Sequence, residues 1–235
     1  MTALAHRVFV GWDSREDIAY RVCRHSLLRR ASAPVSVTPI KQNALREQGL
    51  YTRGVDPLAS TELTYTRFFV PHLMEYRGWA LFCDCDFLWL GDVAALFALA
   101  DERYAVMCVH HDHRPRENWK MEKQTQTVYP RKNWSSLVLY NCGHPKNRAL
   151  TPELINKESG SFLHRFQWLE DSEIGALPET WNWLEGWCEK PAAGPLNAIH
   201  YTRGGPWFPA EQSVDYGDLW LAEEQDLARS ELART

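Results

Sequence analysis

Two short apolar runs with a helical stripe between them decide the fold class. Arg7 to Val10, RVFV, reads as a strand that ends at Gly11-Trp12-Asp13. A helix follows, with Ser14 and Asp17 in the S-x-x-D capping spacing and Ile18, Val22, Cys23 and Leu27 on one apolar stripe. Val35 to Ile40, VSVTPI, is a second strand, restricted near its end by Pro39. Strand, helix, strand at this spacing is a βαβ unit, so the expectation is an α/β protein with a mostly parallel central sheet flanked by helices. Ligands of such sheets lie beyond the carboxyl ends of the strands, which puts Gly11, Trp12 and Asp13 at the ligand edge. Gly11 would let a bound group approach the backbone there. A plain βα turn capped by Asp13 or Ser14 fits the same residues equally well.

The stretch Ala80 to Asp92, ALFCDCDFLWLGD, runs apolar into Asp84 and Asp86 and returns at once to apolar residues. Buried charge of this kind costs several kcal/mol unless a cation or hydrogen-bond donors compensate it. Alternation at a strand end would put Asp84 and Asp86 on one face, with Cys83, Cys85 and Phe87 on the other. Three chemistries suit the pair. One is a strand end with two solvated or helix-capping aspartates. Another is an aspartate-nucleophile phosphatase, which calls for D-x-D-x-[TV], whereas position 88 is Leu. The third is a glycosyltransferase whose two carboxylates hold a hard octahedral ion, Mn²⁺ or Mg²⁺, that grips the diphosphate of a nucleotide sugar.

Length and charge narrow the classes. A chain of 235 residues suits one α/β domain, and a net charge of −4 argues against nucleic acid as a partner. No apolar run approaches the span of a bilayer, and His6 and Arg7 interrupt the N-terminal MTALAHRVFVG before it resembles a signal peptide. A cytoplasmic protein is expected, with peripheral membrane contact left open. Six Cys without a regular framework read as reduced core thiols. Eleven Trp supply both core bulk and flat faces on which sugar rings lie.

Elsewhere the chain alternates elements with polar segments. Residues 42–56 form a loop with a weak helix, and Thr61 to Tyr76 reads as a helix broken or kinked near Pro71. Arg67, inside that apolar segment, needs an anionic partner, either a structural carboxylate or a phosphate. Trp79 to Cys83 is the strand that delivers the aspartates, and Asp92 caps a helix through Leu99. Tyr104 to Val109 is the next strand, and it empties into a long polar segment from His110 to Trp134. His110, His111 and His113 suggest a metal cluster, but no second ligand set has matching spacing, so a solvated loop is preferred. Ser135 to Tyr140 is a buried strand ending at Asn141, and Thr151-Pro152-Glu153 starts a helix. Glu170, Asp171 and Glu173 then lie between Trp168 and the run Trp181, Trp183 and Trp187, where a sugar would stack, although Asp171 also suits an ordinary helix cap. Ala198 to Tyr201 is a last strand, and a charged amphipathic helix lies beyond Glu211.

From about Val8 to Trp207 the order of these features resembles the GT-A glycosyltransferases, the nucleotide-diphospho-sugar transferases, and above all the glycogenin-type family 8 enzymes and their bacterial relatives. VFVGWD stands where that family places the nucleotide base, so Val10, Gly11, Trp12 and Asp13 are implied donor contacts. TYTRFFVP is similar to the helix bearing a donor-contacting Arg, here Arg67. Asp84-Cys85-Asp86 matches the family's D-x-D, which implies Asp84 and Asp86 as metal ligands with Cys85 beside the donor. LPETWN, Leu177 to Asn182, is similar to L-P-x-x-[YFW]-N and puts Trp181 and Asn182 beside the acceptor. HYTRGGPW resembles H-x-x-G-x-x-K-P-W, which makes His200 the implied third ligand and brings Gly204 and Gly205 to the diphosphate. A neutral imidazole suits Mn²⁺ while two carboxylates offset its charge.

The resemblance implies a single GT-A domain over residues 1–235. Residues 1–109 would be the nucleotide-sugar-binding part and 110–235 the acceptor-side and C-terminal part. It further implies a hexosyltransferase using Mn²⁺ or Mg²⁺, a UDP-sugar donor and a glycan or other hydroxyl acceptor. Three departures bear on the site. Gly205 replaces the phosphate-binding Lys, with Arg203 as the cation left to substitute for it. WSSLVLYN resembles N-[AS]-G-V-x-x-x-N, with Trp134 and Ser136 in place of Asn and Gly where a sugar would be read. Glu170-Asp171-Ser172-Glu173 stands in for D-Q-D. The family retains anomeric configuration, whereas inverting GT-A enzymes use an acidic pair whose Asp is the base, a role open to Asp171. Retention is the expectation. The competing classes are a sugar nucleotidyltransferase, for which GWDSRED lacks a G-x-G-T-R-L-like loop, and a catalytically silent glycan-binding or scaffolding relative.

Overall fold

β1 (His6–Gly11), α1 (Asp17–Arg30) and β2 (Val35–Ile40) form the expected βαβ unit, with β1 and β2 paired in parallel from His6 opposite Val35 to Gly11 opposite Ile40. The computed structural model describes residues 5–54, 61–111, 131, 133–189, 194–209 and 213–233. His113, most of the polar segment before Trp134 and Glu211 lie outside the described residues. The remaining elements are α2 (Gln42–Glu47), α3 (Val70–Leu73), β3 (Trp79–Cys83), β4 (Phe87–Trp89), α4 (Val93–Phe97), β5 (Val106–Cys108) and β6 (Leu137–Asn141). They continue with α5 (Pro152–Lys157), α6 (Gly160–His164), β7 (Ile174–Ala176), β8 (Trp183–Leu184), β9 (Ala198–His200) and α7 (Gly217–Leu232).

Among the described residues the main sheet has the order β2-β1-β3-β6-β5-β7. Its β1–β2, β1–β3 and β5–β7 pairs are parallel, whereas β6 runs against both neighbours, so the sheet is mixed. Alternation sorts its side chains onto two buried faces. Phe9, Ala80, Phe82, Val138 and Tyr140 meet Phe68, Phe69, Ile155 and Leu163 on one side. Val8, Val10, Leu81, Cys83, Leu137 and Leu139 meet Cys23 and Leu27 of α1 and Val93 and Leu96 of α4 on the other. Burial on both faces is why these strands read as continuous apolar runs. β2 is an edge strand, where Pro39 withholds no ladder donor that a neighbour needs.

A smaller sheet, β4-β9-β8, packs on α7 through Leu88, Ile199, Trp183 and Trp220. Its β4–β9 ladder is antiparallel and sets Phe87 opposite His200. The expected helix over Thr61 to Tyr76 is instead a 3₁₀ turn, Thr66–Phe69, followed by α3. Pro71 lies in the first turn of α3, where its missing N–H is no loss. α1 likewise begins later than its capping spacing suggests, because Asp13, not Ser14, caps a 3₁₀ turn over Ser14–Glu16. Asp92 and Thr151 cap α4 and α5 as expected. All six cysteines are free and five are buried. No helix among the described residues is long and apolar enough to cross a membrane.

Candidate metal centre

The aspartates stand in the turn between β3 and β4, and two different sheets hold them in place. The Asp84 N–H donates to Ser136 O at 3.0 Å, where β6 begins beside β3. The Asp86 carbonyl accepts from Tyr201 N at 3.0 Å, which extends the β4–β9 ladder by one bond. That ladder carries His200 to the pair, and its ring stacks on Phe87 with centroids 4.4 Å apart. His200 Nε2 lies 3.3 Å from Asp86 Oδ1, and one ligand atom each from Asp84, Asp86 and His200 falls within 4.8 Å of the others. The predicted triad therefore converges.

Hydrogen bonds around the triad fix its chemistry. Asn182 Nδ2 donates to Ser136 Oγ at 2.9 Å, which leaves Asn182 Oδ1 to accept from His200 Nδ1–H at 3.0 Å. In its neutral form the imidazole carries its lone pair on Nε2, facing a carboxylate oxygen. Two lone pairs at that distance require a proton or a cation between them. Asp86 Oδ1 is buried without a hydrogen-bond partner and Asp84 Oδ1 is met by a guanidinium, so the donor set fits a hard divalent ion. Arg67 supplies a fixed positive charge: Nη2 is 3.0 Å from Asp84 Oδ1, while Nη1 donates to Ser135 O at 2.9 Å. Of the two partners open to Arg67, the structure provides the carboxylate.

Burial pushes the Asp84 carboxyl up to about 6, with Arg67 opposing and Asp86 adding to the rise. Glu16, in the turn before α1, was not foreseen as part of this centre. Its burial, reinforced by Asp86 and Asp13, pushes its carboxyl up to about 8. Three acids thus feel one another across an excess of negative charge. Ser136 was also missed as a positioning group, since a Ser in a strand entry carries no signal of a hydrogen bond to Asn182, 46 residues along the chain.

Other sequence-predicted residues fall into different roles. Asp13 is fully buried and accepts from Arg15 N, Nε and Nη2 and from Glu62 N, so both its oxygens already hold the β1 exit together. Those bonds outweigh its burial and hold its carboxyl below the usual range. Val10 and Cys85 are buried in the core. Gly11 is tightly packed, because a Cβ there would meet Leu63 Cβ at 3.0 Å and the Phe82 ring at 3.1 Å. Trp12 keeps a ligand-edge place, with Lys41 Nζ 4.4 Å from its ring centroid. Gly204 has φ +100 and donates its N–H to Tyr201 O, while a Cβ on Gly205 would meet the Trp207 ring. Arg203 lies against Gly186, 3.7 Å from Glu185 Oε2 and 5.7 Å from the Trp187 ring centroid.

The acceptor-side expectations are corrected. Trp181 is 4% exposed and packs near Trp89 in the core, so it offers no face to a sugar. Trp134 has one face covered by His110, stacked at 4.0 Å. Asn182 is buried and acts on His200, not on an acceptor. Glu170 and Asp171 precede β7, whose Ile174 pairs with Val106 at the entry of β5, the end of the sheet opposite Cys83 and Asp84. Three strand spacings, roughly 14 Å, separate β7 from β3 as well. Asp171 is exposed and ion-paired with Arg131, and the fold does not bring it to the triad.

The architecture is shared with solved glycosyltransferases. GlyE of Streptococcus pneumoniae superposes with a TM-score of 0.61 at 14% identity, over 98% of this chain and 63% of that one. This chain therefore spans less than two thirds of GlyE. LgtC, a galactosyltransferase solved with donor and acceptor sugar analogs, gives 0.55 at 10% identity over 94% and 95% of the two chains. Mouse xyloside xylosyltransferase 1 gives 0.54 at 11% identity over 85% and 98%. The fold is thus that of the GT-A glycosyltransferases. No protein-family model matches the chain. Over 223 residues it is 56% identical to Protein CDI of Arabidopsis thaliana, covering 94% of this chain and 86% of that protein, and it belongs to the same family. That relative is a plant protein, whereas the resemblance pointed to bacterial ones.

Proposed function

We propose that the chain is a metal-dependent glycosyltransferase that moves a hexose from a nucleotide-diphosphate donor, a UDP-sugar, to a hydroxyl acceptor. The observation that carries this reading is the convergence of Asp84, Asp86 and His200 with their facing lone pairs, on a GT-A fold. These three side chains would hold Mn²⁺ or Mg²⁺, which would supply Lewis-acid stabilisation of the departing diphosphate. The chain's own residues prepare that event. Arg67 orients Asp84 and offsets part of its charge. Asn182 holds His200 in the tautomer that presents Nε2. Arg203, with its side chain 42% exposed, is the cation we assign to the phosphates in place of the absent Lys. Trp12 and Lys41, at the exits of β1 and β2, are assigned to the nucleotide base.

Residues 1–109 would then form most of the donor side, and 110–235 would contribute His200, Asn182 and the acceptor side. Retention is favoured because Asp171, the base that the sequence offered for inversion, lies at the far end of β7. The test is release of UDP from a panel of UDP-sugars with Mn²⁺. Turnover should appear with at least one donor and vanish in Asp86→Ala. Turnover that survives in Asp86→Ala, or that ignores chelator, would sink the proposal.

A further inference from the structure

A second group of ligand-type side chains assembles away from the aspartate pair. His111 follows β5, Glu179 opens the 3₁₀ turn Glu179–Trp181, and Cys188 closes the turn after β8. One ligand atom from each lies within 4.8 Å of the other two. All three stand on backbone that is already tied down. His111 N donates to Val109 O at 3.1 Å, and His111 O accepts from Trp134 Nε1. Leu177 N donates to Cys108 O at 2.8 Å, which fastens the strand leading to Glu179 onto the end of β5. Cys188 N donates to Leu184 O at 2.9 Å. The His110-His111-His113 run lacked a partner set in sequence; the fold provides one for His111 from residues far along the chain.

The donor chemistry is specific. Cys188 is the one cysteine of the six that is not fully buried, and its Sγ–H donates to Glu179 Oε1 at 3.0 Å. Burial, with Glu179 adding to it, pushes the thiol up to about 12, so a proton sits where a cation would otherwise bridge sulfur and oxygen. Imidazole, carboxylate and thiolate together are ligands for a tetrahedral, thiophilic ion. Tetrahedral bonds of 2.0–2.3 Å separate ligand atoms by about 3.3–3.8 Å, so small side-chain rotations close the set.

We propose that His111, Glu179 and Cys188 form a second metal site, for Zn²⁺ or an ion of like softness, which clamps the exit of β5 to the two turns that flank Asn182 and β8. Binding forms a metal–sulfur bond and releases the Cys188 thiol proton to solvent, with water completing the tetrahedron. Glu179 lies three positions before Asn182, and Cys188 follows Leu184, the residue paired with His200. The clamp would therefore stiffen the support of His200 from outside. This inference does not rest on the transferase reading.

The test uses the full chain stripped with chelator and titrated with Co²⁺. The wild type should develop a sulfur-to-cobalt charge-transfer band that saturates and is discharged by Zn²⁺. The band should be lost in Cys188→Ser and kept in Asp86→Asn, with Mn²⁺ binding at the aspartates unchanged in Cys188→Ser. His111→Ala, which keeps the sulfur, should bind Co²⁺ roughly tenfold or more weakly. A wild type without the band, a band that persists in Cys188→Ser, or unchanged affinity in His111→Ala would overturn the site.

Discussion

Two clusters built from the same residue types, Asp, Glu and His, differ in how their charge is met. Where α7 packs on α1, Glu223 is 3% exposed and is met by Arg30 at 2.9 Å and by Arg29 and His25 at 3.6 Å. Asp226 beside it takes Arg29 at 2.9 Å and His25 at 3.1 Å. With Arg229 Nη2 also 3.3 Å from Asp226 Oδ1, two acids there face three guanidinium groups and an imidazole, and Arg29 and Asp226 reach solvent. At the β3–β4 turn, Asp84 and Asp86 have one guanidinium, that of Arg67 on Asp84, and meet His200 Nε2, with the Glu16 carboxyl nearby pushed up to about 8. The first cluster has at least as many fixed positive charges as acids and ties a helix down. The second is short of positive charge, and such a deficit inside a protein is what a divalent ion removes.

Removing one ligand should separate the two clusters most clearly. Asp86→Asn should abolish Mn²⁺ binding measured by electron paramagnetic resonance, while Glu223→Gln should bind the ion as the wild type does. Equal loss in both would erase the distinction. Next in size is Asn182→Leu, which frees the His200 ring and should weaken Mn²⁺ binding by roughly 10–100-fold. An unchanged affinity would mean that the Asn182 bond does not set the tautomer. Glu223→Gln should instead lower unfolding free energy by about 1.5–3 kcal/mol, read from denaturant midpoints, because it leaves Arg30 and its neighbours without their carboxylate. No change would make the α1–α7 network ornamental.

The smallest effect is on pH dependence without metal. Asp84 and Glu16 have carboxyls raised to about 6 and about 8, above unfolded values of 3.8 and 4.5. Acids raised in this way contribute stability that is fully present below their unfolded values and is lost as pH rises through their folded ones. In chelator, melting temperature should therefore decline as pH rises from about 4 to above 8. Saturating Mn²⁺ should flatten the decline by favouring the ionised forms. A melting temperature that climbs across this window in chelator would contradict the charge deficit.

How far the chain could be read follows from the range of the forces involved. Asp84 and Asp86 announce themselves locally, because charge in an apolar run is costly wherever the chain goes. β1, β2 and β3 are legible for the same reason, since alternation and burial act residue by residue. His200 reaches the pair only through the β4–β9 ladder, and local sequence holds no trace of that pairing; the family resemblance supplied it. Ser136 and Glu16 depend on packing between distant segments and left no pattern. Trp181 shows the converse limit, because a tryptophan beside acids reads alike whether it faces a sugar or the core. Asp171 was misplaced because its neighbours did not reveal at which end of β7 it would lie.

A crystal of the metal-stripped protein soaked in Mn²⁺ and measured at the manganese absorption edge addresses the central claim most directly. The account predicts an anomalous peak bonded to carboxylate oxygens of Asp84 and Asp86 and to His200 Nε2, with the His25–Glu223–Asp226 cluster empty. A blank map at the triad, or a peak among His25, Glu223 and Asp226 instead, would contradict it.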